Sequence, residues 1–291
     1  MFATYASLRD AREALKEITG ATADDTALLN ALRAVTVRMR AILWHTDFLP
    51  IRQTRYFDPR PIFAGGKTHG HRLMLDYNLL EALTVVDGSG TTLAASDYVL
   101  YPFVGTPKTE IHLDDVADRW QYPASGLYEN AIAVTGIWGH HTDYANAWIR
   151  VDALTASVTA TATTFTVSSP SAADLFGRAP RLSPGMLLRV DDEYMALLAV
   201  SGTTLTVRRA QNGTLAAAHA SGTDVYVWET EAPIALAAAR WASYIVKRRG
   251  EFADSELDPA GAFITRYPKD IPADVLGIIK LYHRPGPIRG A

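Results

Sequence analysis

Gly185-Met186-Leu187-Leu188-Arg189-Val190-Asp191-Asp192-Glu193-Tyr194-Met195 is the stretch on which the reading of the fold turns. Two apolar runs, Met186 to Val190 and Tyr194 to Val200, flank a group of acids, as two short strands around a turn would. Thr204 to Arg208 supplies a third strand, and Gln211-Asn212-Gly213-Thr214 follows it. Asn-Gly supports a positive-φ turn, and Gly222 supports another before the strand Val225 to Trp228. Upstream, Thr159, Thr161, Thr163 and Phe165 lie in β-favouring Thr/Val sequence. Short strands with Ser-Gly and Asn-Gly turns between them predict an all-β barrel or sandwich over residues 154–229.

Helical sequence lies on either side. Leu8, Ala11, Leu15 and Ile18 repeat at helical spacing, Ser7 and Asp10 form a capping box, and Gly20 closes the helix. Thr22, Asp24 and Asp25 open a second helix, whose apolar stripe runs through Leu28, Leu29, Leu32, Val35, Met39, Ile42 and Leu43. A third, about Ala232 to Arg249, starts at Pro233 and buries Ile234, Leu236, Ala237, Trp241, Tyr244 and Ile245. Between the hairpin and the β segment, Arg72 to Tyr77, Leu83 to Val86, Asp97 to Tyr101, Ile111 to Leu113 and Ala131 to Gly136 predict a small sheet. The stretch from Leu113 to Glu129 reads as loop anchored by Trp120 and Tyr122. The expected fold class is α+β: a helical core with a small antiparallel sheet plus an inserted all-β barrel or sandwich. Its divisions are 1–153 (helical hairpin and small sheet), 154–229 (inserted β domain) and 230–291 (core helix and extended C-terminal tail).

Composition narrows the function. The chain has 291 residues, 48% hydrophobic and 20% charged, which excludes a largely disordered or collagen-like protein. A net charge of -3 excludes bulk electrostatic condensation on nucleic acid. The absence of cysteine excludes disulfides, thiolate zinc sites and cysteine nucleophiles. Charges recur every few residues in MFATYASLRDAREALKEI, so neither a signal peptide nor an anchor is expected. No apolar run approaches the roughly 20 residues of a spanning helix. A soluble, intracellularly made protein is expected.

Chemical motifs are weak. His69 and His71 flank Gly70 without a carboxylate at ligand spacing. His140 and His141 point to opposite faces if extended, so both pairs read as surface or interface histidines. Asp114-Asp115 with Asp118, and Asp191-Asp192-Glu193, lack the spacing of a calcium loop. Gly65-Gly66-Lys67-Thr68 carries the end of a phosphate-loop motif but not its first glycine. No Gly-x-Ser-x-Gly elbow is present. Neither an enzyme, a metal site nor a cofactor is expected.

Residues Ala6 to Leu43, with Thr22-Ala23-Asp24-Asp25-Thr26-Ala27-Leu28-Leu29, resemble the start of tailed-phage head–tail connector (adaptor, head-completion) proteins. The resemblance continues through Leu83 to Asp87, Gly90 to Leu93, Asp97 to Leu100, Ile132 to Gly139 and the alanine-rich helix at Ala235 to Arg249. The segment from Gly185 through Gln211-Asn212-Gly213-Thr214, His219 and Gly222-Thr223 is similar to a small β module of phage virion proteins, which the compact connectors lack. The resemblance implies a structural adaptor: a ring, commonly of twelve copies, below the portal of the DNA-filled head. Such a ring links capsid to tail and lines the channel for double-stranded DNA. It implies as partners the portal protein, neighbouring copies and a tail or stopper protein, no membrane, assembly in the host cytoplasm and a final place in the virion neck. It also implies that the C-terminal tail docks on the portal. Lys280, Arg284 and Arg289 make that end basic, Pro285 and Pro287 restrict it, and Tyr282 and Ile288 offer apolar anchors. The alternatives are another virion part (tail fibre or baseplate) and a carbohydrate-binding module protein.

Overall fold

The structure is a computed structural model that describes residues 3–19, 24–44, 46–61, 65–66, 68–115, 118–127, 129–248, 254–257, 263–266 and 271–282. Two antiparallel six-stranded sheets dominate it. The first holds β1 (Ile51–Phe57), β2 (Thr68–His69), β3 (Arg72–Val86), β4 (Tyr98–Tyr101), β5 (Lys108–Leu113) and β6 (Ile132–Trp138), in the order β1-β6-β3-β5-β4 with β2 on β3. The second holds β7 (Trp148–Ala153), β8 (Thr164–Thr166), β9 (Leu187–Val190), β10 (Glu193–Ser201), β11 (Thr204–Arg208) and β12 (Asp224–Trp228), in the order β7-β12-β9-β10-β11-β8. A bridge between Leu154 and Val167 joins the ends of its two outer strands, so this sheet curls into a barrel. It takes in Trp148 to Ala153, ahead of the boundary expected at 153/154. The hairpin of β13 (Asp254–Leu257) and β14 (Phe263–Arg266) stands apart from both.

Four helices are described: α1 (Leu8–Thr19), α2 (Asp25–Leu43), α3 (Ala232–Lys247) and α4 (Ala273–Tyr282). The expected helical core with a small accessory sheet is therefore wrong; the chain is mostly β. Two strands account for much of the error. In β1 the packed face carries Gln53 and Arg55, and the Arg55 guanidinium lies 3.3 Å over the Tyr77 ring and 5.0 Å from that of Trp138. A cation between aromatic faces fills a place that apolar alternation would have flagged. β3 reads as two strands because Asn78 and Glu81 interrupt its apolar run. It is one long strand, pairing β5 through Arg72 to Leu79 and β6 through Leu79 to Val86, with register shifts between.

Three apolar clusters follow from this arrangement. Phe57, Leu73, Ile111, Val134 and Trp138 fill the first sheet, with Trp120 from the loop buried against them and Tyr122 left half exposed. Phe165, Val167, Leu188, Met195 and Val225 fill the barrel. The third cluster joins α1, α2 and α3 through Leu15, Leu28, Leu32, Met39 and Trp241, and it takes in Leu187, Tyr194, Ala196 and Trp228 from the barrel wall. Alternation explains this sharing: Leu187 and Leu188 are neighbours on β9, and one faces the helices while the other faces the barrel interior. The Trp228 indole also donates to the Phe48 carbonyl at 2.8 Å.

The first helix begins as its sequence predicts. The Ser7 N–H and hydroxyl both donate to the Asp10 carboxylate, at 2.9 and 2.7 Å, and the Asp10 N–H reaches back to the Ser7 hydroxyl at 3.3 Å. Asp10→Ala removes this reciprocal cap and is expected to lower stability by about 1 kcal/mol, read as a reduced urea midpoint with an unchanged slope.

Candidate functional site

A polar node of the barrel is built on the acids of the β9–β10 turn and of the start of β10. Glu193 is buried, and its carboxylate accepts two bonds from the Arg209 guanidinium, at 2.7 and 2.6 Å. It also accepts the N–H groups of Ala210 and Ala217, both at 3.0 Å, and lies 3.0 Å from Nε2 of His219. Burial alone would raise its pKa, but these donors outweigh that and hold it at about 2. The other ring nitrogen of His219 meets Asp191 at 2.7 Å. Both imidazole nitrogens are thus engaged, so the Asp-His-Glu set is a fastener for the loop between β11 and β12.

That loop fastens the two sheets together. The Asn212 carbonyl accepts the Arg52 N–H at 2.8 Å, and the Asn212 amide donates to the Pro50 carbonyl at 2.9 Å. Gly213, at φ +83°, lies so close that a Cβ would sit 1.8 Å from the Arg52 oxygen. The Asn-Gly turn read from the sequence is present, with Asn212 also at positive φ.

A groove of about 570 Å³ runs between α1, α3 and the barrel. Ala14, Leu49, Met186, Ala235 and Leu236 supply apolar lining. Its rim is a set of ion pairs: Arg178 makes a forked bond to Glu229 (2.8 Å on each arm) and reaches Asp174 at 2.7 Å, while Arg9 meets Asp174 at 3.2 Å. The hydrogen bond that Arg178 donates to Glu229 heads the effects that raise the Arg178 pKa. Asp174 also accepts the N–H groups of Phe176 and Arg178, both at 2.9 Å, which fixes the loop beside the groove. At the tip of that loop Leu175 and Phe176 are 78% and 62% exposed. Phe103, Val104, Leu127 and Leu215 stand out on other loops in the same way. No family model matches this chain, and no curated protein matches it.

The residues singled out for portal docking divide in two. Lys280 is exposed at the end of α4, whereas the Tyr282 ring packs edge-on against Phe48 (5.1 Å) and His140 (5.5 Å). Tyr282 is an anchor within this chain. Arg284, Pro285, Pro287, Ile288 and Arg289 lie outside the described residues. His140 and His141 part as expected, one towards Phe48 and the other towards Trp228. The Thr68 hydroxyl donates to the carbonyls of Pro59 and Arg60, and a strand follows it, so the GKT stretch has neither the free hydroxyl nor the helix of a phosphate loop. No group of three or more His, Asp or Glu among the described residues is arranged to hold a metal ion. No described helix is long and apolar enough to cross a membrane. Sequence reasoning missed the groove and its charged rim, which joins the Asp174–Arg178 loop to the distant Arg9 and Glu229 and carries no motif.

Proposed function

We propose that the chain is a structural adaptor of a tailed-phage particle, assembled as a ring between portal and tail in the virion neck. One observation carries the reading: apolar side chains are held outward on ordered loops, most clearly Leu175 and Phe176 beside the groove. The Phe176 ring has the Arg178 guanidinium 4.7 Å from its centre, but most of both side chains is left in water, where an assembly would cover it. The resemblance of the hairpin, the first sheet and α3 to connector proteins supports the same role. In it, neighbouring copies and a tail or stopper protein cover the loop tips, the portal takes the C-terminal tail, and double-stranded DNA passes through the ring.

Negative-stain imaging of the protein mixed with portal should show a ring at the portal's lower face. The double variant Leu175→Asp with Phe176→Asp should keep its circular dichroism and lose the ring, because both side chains are mostly in solvent and the fold gives up only the Phe176–Arg178 contact. A trimeric spike would contradict the adaptor and favour a fibre or baseplate part. The tail is tested separately by truncation after Tyr282, which leaves the packing on Phe48 in place. Loss of portal capture in a pull-down is expected, and undiminished capture would show that the tail is not the dock.

A further inference from the structure

The turn that joins the two sheets is also the place where asparagine precedes glycine in this chain; Asn30, Asn78, Asn130 and Asn146 precede alanine or leucine. An Asn-Gly pair carries a chemistry of its own. The backbone nitrogen of the glycine attacks Cγ of the asparagine, the amide nitrogen leaves as ammonia, and a succinimide ring forms. Water then opens the ring at either carbonyl and leaves aspartate or isoaspartate, so no co-reactant besides water is needed. Glycine favours the closure because it has no Cβ to shield its nitrogen and its backbone turns freely. Closure requires the side chain and backbone of Asn212 to turn towards each other, and the fold opposes this. The Asn212 amide nitrogen donates to the Pro50 carbonyl at 2.9 Å, and the Asn212 carbonyl accepts the Arg52 N–H at 2.8 Å. Asn212 is held at φ +51°, and Gly213 is pressed against the Arg52 carbonyl. The attacking nitrogen itself is not held: Gly213 is exposed, and its N–H makes no hydrogen bond among the described residues. The seat of the turn on β1 is therefore what restrains the reaction.

That seat can open locally. β1 is the edge strand of the first sheet and pairs only with β6, so the turn can lift from its outer edge without unpairing a ladder. We propose that Asn212 is a self-modification site gated by this junction: it persists while the turn is seated and converts to aspartate or isoaspartate once the turn lifts. Either product resists reclosure. Aspartate has no N–H for the Pro50 carbonyl and sets acceptor oxygens against an acceptor. Isoaspartate adds a carbon to the backbone of the turn, so Gly213 no longer returns to its place against Arg52. The junction is then a latch that opens once, uncoupling the first sheet from the barrel without an enzyme.

Peptide mass mapping of the full chain, incubated at physiological temperature and mildly alkaline pH, tests the gate. Asn212 should convert about tenfold or more slowly in the native chain than in the urea-unfolded chain, because only the open fraction reacts. In the unfolded chain it should outpace Asn130, which precedes alanine. Arg52→Pro deletes the N–H that Asn212 accepts, a change that an edge strand tolerates, and should raise the native rate several-fold; Arg52→Ala should leave it unchanged. Should Arg52→Pro fail to fold, urea below the unfolding transition lifts the turn instead and should raise the rate in the same way. Asn212→Asp, a stand-in for one product, should unfold at a lower urea concentration than the wild type. Equal rates in the native and unfolded chains would overturn the proposal, as would an unfolded Asn212 no faster than Asn130. A native rate unmoved by both Arg52→Pro and mild urea, or an Asn212→Asp midpoint equal to the wild type's, would do the same.

Discussion

Glu193→Ala is expected to lower the stability of the protein by about 3–5 kcal/mol, the usual range when one partner of a buried pair is removed. The loss has several parts. Arg209 keeps a buried guanidinium with no carboxylate, the N–H groups of Ala210 and Ala217 lose their acceptor, and His219 loses one of its two partners. Glu193→Gln retains the shape and part of the bonding, so it should fall between wild type and alanine. Equilibrium urea unfolding checks both. The same residue contributes to the acid limb of stability, beside Asp152 and Asp174, whose pKa values are also lowered. Its pKa is held down, from 4.5 to about 2. The stabilisation is therefore complete above pH 4.5 and lost as pH falls from 4.5 towards 2. By linkage it amounts to about 3 kcal/mol. Glu193→Gln should flatten the stability profile across that interval, and an equally steep profile in the variant would assign the acid limb to other carboxylates.

The second large effect is expected at Gly213→Ala. The backbone there is at φ +83°, where a side chain is strained, and the new methyl would overlap the Arg52 carbonyl. Turn and β1 must separate, which gives up the Arg52–Asn212 and Asn212–Pro50 bonds as well. A loss of about 2–4 kcal/mol is expected, from backbone strain together with broken buried bonds. Arg52→Ala is the control. Only its backbone takes part in the junction and its side chain is exposed, so it should change stability by less than about 0.5 kcal/mol. Thermal unfolding followed by tryptophan fluorescence would separate the two variants.

Local rules made some of this legible. The cap at Ser7 and Asp10, the proline in the first turn of α3, the Asn-Gly turn and the strands from Leu187 to Trp228 all obey constraints that act within a few residues. What stayed hidden depends on partners distant in sequence. β1 did not read as a strand because Arg55 takes the place of an apolar residue, and only the fold brings Tyr77 and Trp138 to its guanidinium. The length of β3 was hidden because its two halves serve different neighbours, with shifted registers in place of one clean alternation. The mistaken helical core has a related origin. The helices announce themselves by long periodic stripes, but each β9-type strand has apolar residues on both faces and reveals nothing of how much surface it covers. At the candidate interface, the Leu175-Phe176 tip is visible as two apolar residues in a loop, while the charged rim that fixes it is assembled from three separate segments.

The tether of the N-terminus to the barrel sets a timetable for synthesis on the ribosome. The N–H groups of Thr4 and Leu8 bond to the carbonyls of Gly185 and Pro184, and the Ala11 carbonyl accepts the Ser243 hydroxyl. The apolar faces of α1 and α2 are closed by α3, which begins only at Ala232. These two helices, made well before α3, are thus covered only late. At translation rates of about 5–20 residues per second, the interval from Leu43 to Lys247 is on the order of 10–40 s. During that time two amphipathic helices trail from the ribosome with their greasy sides open, as targets for holding chaperones and proteases. Arrested nascent chains ending at residue 230 should therefore be cut readily within 8–43, and chains carried past the exit tunnel to residue 291 should resist.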